Sequence, residues 1–182
     1  MPRRIKNKIN LTEIYSEINE VFTEKIPTDY KLVDYGNYLS YEFKTNSGTL
    51  YDLEFHYSEE FSFTKLDNNK TLGEILNTDK KIIECFDIAF TLSSVINKNN
   101  PDEFELDSNK KEIIELMGRM VYILNHLIEQ HSNYNLFIVG NSRRNRMKIY
   151  ELIFKNHFKN KFDLYRGKSQ HHNGESFFII KK

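Results

Sequence analysis

In one stretch of this 182-residue chain, Gly140-Asn141-Ser142-Arg143-Arg144-Asn145-Arg146, residue types and spacing converge on a chemistry, the binding of an anion. It follows a short apolar run and precedes a helical pattern, and the free N–H groups at a helix start favour negative charge. Arg143, Arg144 and Arg146 add bidentate donors there. They also oppose the helix macrodipole, at a cost of roughly a few tenths of a kcal/mol or more. A phosphate, a partner's carboxylate or an acid of this chain would offset that cost, and the acidic stretch 102–115 is the internal candidate. The plainer reading is arginines that are solvated or paired within the chain. The stretch is no P-loop, because it lacks the second Gly and the Gly-Lys-Ser/Thr ending. Arg3 and Arg4, with Lys6 and Lys8, form a basic N-terminal arm over residues 1–9. Such an arm suits contact with phosphates or with a partner, and a solvated terminus has the same composition.

The remaining reactive residues read more simply. His171-His172-Asn173-Gly174 offers metal donors, but adjacent histidines on a strand point to opposite sides and no Cys or carboxylate pattern accompanies them, so a polar turn is the better reading. His126 and His131 are five apart on a helical pattern, the wrong spacing for one ligand face. Cys85, the single cysteine, lies among apolar residues, where a thiol behaves as a small hydrophobe. Asp52, Glu54 and His56 share one side of a strand and could bind a cation or act as acid and base. The outward polar side of an amphipathic strand explains them equally well. No catalytic residue, metal ligand set or cofactor is predicted.

The totals set further bounds. The chain is 39% hydrophobic and 29% charged, with 14 Phe, 11 Tyr and no Trp, so aromatic rings should dominate the core. A lone cysteine points to a reducing, cytoplasmic setting, in a host cell or within a virion. Apolar runs are too short to span a bilayer, and the basic start has no apolar segment behind it to make a secretory signal. Net charge is zero, whereas dedicated nucleic-acid binders are usually basic. The charge is nonetheless uneven. Residues 141–161 hold seven basic side chains against Glu151, a net of +6, and residues 102–115 hold six acids against Lys110 and Lys111, a net of −4. Such asymmetry guides docking, or marks two solvated faces.

The elements that would position these groups are legible in outline. Leu11, Ile14, Tyr15, Ile18, Val21 and Phe22 recur at helical spacing over residues 11–24. Leu39, Tyr41 and Phe43, then Leu53, Phe55 and Tyr57, alternate with polar residues around the turn composition Asn46-Ser47-Gly48, which predicts a hairpin. Phe61 and Phe63 read as a third strand. Residues 66–80 read as a loop with room for one helical turn, and 84–90 as a further strand. Ile113, Met117, Met120, Val121, Leu124 and Ile128 stripe a long helix over residues 109–131. Leu136–Val139 is a short buried strand. A helix should start at Asn141 or Ser142, with strands over 162–166 and 176–181 closing the chain. Strand runs followed by helices predict one α+β domain, a mostly antiparallel sheet with about three helices packed on one face.

The hairpin Tyr41-Glu42-Phe43-Lys44-Thr45, Gly48 and Tyr51-Asp52-Leu53-Glu54-Phe55 resembles a recurrent opening in small α+β proteins of phages and bacteria. The later Leu136-Phe137-Ile138-Val139, Arg146 and Lys148-Ile149-Tyr150 resemble them too, so that the likeness spans residues 38–158. The resemblance implies a compact fold and a phage or mobile-element setting. It carries no assigned activity.

The expected function is a non-enzymatic protein-interaction module, a component of a larger, virion-type assembly whose partners are its other proteins. Asn141, Ser142, Arg143, Arg144, Arg146, Arg3 and Arg4 would be the docking contacts. Two alternatives stand beside it. One is nucleic-acid or phosphate binding through the same arginines, with Tyr and Phe for stacking. The other is a small nucleotide-binding or host-directed inhibitor protein. No membrane is implied.

Overall fold

Alternating apolar and polar residues fold the first half of the chain into four successive antiparallel strands: β1 (Lys31–Asp34), β2 (Tyr38–Lys44), β3 (Leu50–Phe61) and β4 (Ile82–Leu92). This computed structural model describes residues 30–46, 48, 50–92, 110–140, 148, 151–152 and 154–182. The predicted hairpin is present in register, with Tyr41 opposite Leu53 and Phe43 opposite Tyr51. At its turn Gly48 sits at φ +91°, a left-handed conformation that a side chain would strain, and its N–H donates to the Thr45 carbonyl at 2.9 Å.

A five-residue helix, α1 (Leu72–Leu76), lies between β3 and β4. Thr71 and Glu74 close a capping box at its start, and Asn77 ends it in the left-handed region at φ 48°. The long helix α2 (Lys110–Gln130) then leads into β5 (Leu136–Val139), which lies parallel to β4. A π-helical turn, Phe154–Phe158, precedes β6 (Phe162–Gly167) and β7 (Ser176–Lys181). The sheet order is β1-β2-β3-β4-β5-β7-β6. Among the described strands only the β4–β5 contact is parallel, as a strand–helix–strand crossover requires. The architecture is the α+β one expected, with a mostly antiparallel sheet.

The sheet buries both faces. On one, Met120, Val121, Ile123, Leu124 and Leu127 of α2 and Phe154 and Phe158 of the π turn pack on Tyr41, Leu53, Phe55, Phe86, Phe137 and Phe177. On the other, Leu66 and Leu72 cover Ile83, Cys85, Ile138, Phe178 and Ile180, with Ile75 and Leu76 of α1 beside them. The larger helix and the π turn therefore share one face, and the short α1 serves the opposite one. Alternation within β5 makes this possible, since Phe137 and Val139 join the first cluster and Leu136 and Ile138 the second. Aromatic rings dominate the first cluster, as the composition implied: Tyr41, Phe43, Phe55, Phe86, Phe137, Phe158, Phe177 and Phe178 are among its largest fully buried side chains or those of its neighbour. Arg119 is buried too, held by Glu115 at 3.2 Å and lying over the Phe43 ring.

One expectation is adjusted by the structure. Phe61 and Phe63 do not form a strand of their own. β3 runs unbroken from Leu50 to Phe61, and the chain turns at Ser62, whose N–H donates to the Lys81 carbonyl. The helix expected over residues 11–24 and most of the one expected from residue 141 lie outside the described residues, although Lys148, Glu151 and Leu152 are helical.

Candidate functional site

Arg3, Arg4, Asn141, Ser142, Arg143, Arg144 and Arg146 all lie outside the described residues. Gly140, from which the arginine stretch leaves β5, is described, and the His172 ring packs directly on it. A Cβ at this position would lie 2.2 Å from His172 Cε1, so the glycine makes room for the imidazole. Lys155 and Lys161 of the basic stretch are engaged within the chain. Lys155 and Arg166 both donate to Glu151, which together hold its carboxyl below the usual range, and Lys161 donates to Asn125. Glu115, from the acidic stretch proposed as an internal partner, accepts instead from Arg119 and from the Asn46 N–H.

The second sheet face gathers the histidines and carboxylates that are scattered in sequence. His56 Nε2 lies 2.7 Å from Glu54 Oε2, beneath the Tyr38 ring, and Tyr35 stacks on Tyr38 in turn. Asp87, directly across from His56, bonds His172 at 2.9 Å. That bond pushes the His172 pKa up against the opposing effect of burial. Glu60 is fully buried and accepts from Thr64 Oγ1, Ser169 Oγ and the N–H groups of Phe61 and Gln170. These contacts lash the β6–β7 connection across β3 and β4. A buried carboxyl group needs such donors, and alternation alone gave no sign of this one.

Chemistry at these groups is restrained by the same bonds. His171 Nε2 lies 2.6 Å from the Glu59 carbonyl oxygen, 3.1 Å from the Gln170 side-chain amide nitrogen and 3.2 Å from Ser58 Oγ. That one ring nitrogen is thus shared among three polar neighbours of the strand and the β6–β7 connection. Burial pushes the Cys85 thiol up to about 12, far from the thiolate a nucleophile needs. Among the described residues no three His, Cys, Asp or Glu side chains group as metal ligands. His126 lies beside Tyr30 and Tyr41, and His131 beside Phe86 and Tyr134, each as an aromatic neighbour.

The surface that stands out is apolar, and the sequence reading missed it by giving Phe61 and Phe63 to a strand. β3 and β4 run on past their neighbours. β2 begins at Tyr38, opposite His56, and β5 pairs with β4 only from Phe86 onward, leaving a two-stranded extension among the described residues. On the side that α2 covers elsewhere, this extension presents Tyr57, Phe61 and Ile82, with Phe63 at its tip. Phe61 and Phe63 stack at 4.8 Å, yet Phe63 remains 65% exposed and Ile82 45%. Tyr57, 36% exposed, joins this strip to Phe86 and Tyr134 at the core's edge. Glu59 and Glu84 lie between Tyr57 and Phe61, facing each other across the ladder. No helix among the described residues is long and apolar enough to cross a membrane. No family model, curated protein or solved structure matches the chain.

Proposed function

We propose that the chain is a non-enzymatic protein-interaction module, a component of a larger, virion-type assembly, docked through the bare aromatic face of the β3–β4 extension. The observation that carries this reading is the stacked Phe61–Phe63 pair beside Ile82, held in water by a rigid ladder. Large exposed aromatics grouped on one face mark interaction sites, and rings such as these supply much of the energy at protein interfaces. The pair is preorganised, since Phe61 is fixed in register opposite Ile82 and the turn behind it is pinned through Ser62 and Thr64. The groups suited to chemistry are meanwhile held in structural hydrogen bonds, as His171 and Glu60 are, or buried among apolar residues, as Cys85 is. The resemblance of residues 38–158 to small phage and bacterial proteins supplies the setting.

Sedimentation of untagged protein from its native source, with mass spectrometry of each fraction, tests the assembly. The chain should travel with a large protein particle, and a Phe63→Asp variant should return to the slow fractions. Native protein sedimenting alone as a monomer would refute the reading. Release of the chain by nuclease treatment would refute it too, in favour of nucleic-acid binding through the arginines.

A further inference from the structure

The same extension carries an electrostatic feature that says what kind of partner it takes. Glu59 and Glu84 are directly opposed in the antiparallel register, and both are exposed. Facing residues in such a ladder hold their Cβ atoms about 4.5–5.5 Å apart, and like charges so placed destabilise the pair. Every other described carboxylate that faces a neighbouring side chain in this part of the sheet has a cation or donor: Glu54 has His56, Asp87 has His172, and Glu60 has Thr64 and Ser169. Among the described residues, neither Glu59 nor Glu84 is paired with a cation. The repelling pair is bracketed by rings, with Tyr57 and Phe86 on one side and Phe61, Ile82 and Phe63 on the other.

We propose that this face receives a basic partner segment, with one arginine seated between Glu59 and Glu84 and apolar residues flanking it on the aromatic strips. The inference rests on the docking reading above and specifies its occupant. A guanidinium fits because its fork of donors can serve two carboxylates at once, and its plane packs on aromatic faces. Its charge turns the Glu59–Glu84 repulsion into attraction, so the free protein's strain becomes binding selectivity. Spacing fits as well. Tyr57, Glu59 and Phe61 alternate along β3, so their side chains repeat about every 6.6 Å on this face. An extended partner with apolar, arginine and apolar residues at alternate positions repeats at the same interval.

The test is an NMR titration of the full chain with a synthetic peptide centred on Leu-Thr-Arg-Thr-Leu. Matched peptides carry citrulline or glutamate in place of the arginine. Shifts should concentrate at Tyr57, Glu59, Phe61, Ile82 and Glu84. The citrulline peptide should bind at least about fivefold more weakly and the glutamate peptide more weakly still. The E59Q/E84Q variant should bind arginine and citrulline peptides alike. Glu84→Gln should also raise the unfolding midpoint of the free protein while lowering its affinity for the arginine peptide, a pairing of signs that a purely structural carboxylate would not give. Equal affinity of native protein for arginine and citrulline peptides, with Phe63→Ser weakening both, would overturn the basic partner and leave the docking face standing. No shift on this face with any peptide, and none altered by Phe63→Ser, would overturn both.

Discussion

Substituting Gly140 by alanine should expose how the β6–β7 connection is held against the sheet. The new Cβ would fall 2.2 Å from His172 Cε1, 2.5 Å from Nδ1 and 2.6 Å from Nε2. Ordinary contact begins at 3.4 Å, so the ring must withdraw by roughly 1.2 Å. Its 2.9 Å bond to Asp87 cannot survive that movement. A hydrogen bond to a charged group contributes about 1.5–3 kcal/mol, and the lower end applies to a pair that is only partly shielded from water. Replacing glycine by alanine returns about 0.4–1 kcal/mol by restricting the unfolded chain. Gly140→Ala should therefore destabilise by about 1 kcal/mol, or lower Tm by about 2–4 °C for a chain of this size. In a His172→Ala background the clash is gone, and the same substitution should be neutral or stabilising. Urea denaturation of the four proteins of this cycle near pH ~6 measures the difference, which should be about 1.5 kcal/mol. Equal effects of Gly140→Ala in both backgrounds would refute the reasoning.

Other expectations follow from single groups. The Asp87 bond raises the His172 pKa above its ordinary 6.5, so its contribution is fully present below that value and is lost as pH rises through the folded one. His172→Gln should therefore cost more stability near pH ~6 than near pH ~9, and a pH-independent cost in urea titrations would contradict the assignment. Cys85, wholly buried with its thiol pushed up to about 12, should resist a thiol reagent in the native protein and react fully in denaturant. Rapid native labelling would show that the second cluster opens. Ser176 Oγ is buried without a hydrogen-bond partner among the described residues, so Ser176→Ala should be neutral or stabilising by up to about 1 kcal/mol, read as the shift in the urea midpoint.

The parts of the fold that were legible in the sequence are those governed by local periodicity. Leu39, Tyr41 and Phe43 against Leu53, Phe55 and Tyr57 announced the hairpin because one buried face fixes both alternation and register. The stripe from Met120 to Ile128 announced α2 for the same reason. What stayed hidden depends on pairing across long separations. The placement of β7 between β5 and β6 is set by Phe177 and Ile179 packing opposite Val139 and Phe137, which no local pattern encodes. Glu60 reads as a solvated strand residue until Ser169 and Gln170, more than a hundred positions later, close over it. Phe61 and Phe63 kept the period of two, so they read as a strand; the turn between them rests on backbone bonds from Ser62 to Lys81 and from Thr64 to Phe61. The polar face was half legible: Glu54 and His56 were seen together, but their apposition to Asp87 and His172 needed the β3–β4 register and the returning chain.

Hydroxyl-radical footprinting of the chain, free and within its native assembly, tests the docking claim most directly. Tyr57, Phe61, Phe63 and Ile82 should lose reactivity in the assembly, while Leu50, 45% exposed at the opposite end of β3, should keep it. Unchanged reactivity of Phe61 and Phe63 in the assembled state would contradict the account.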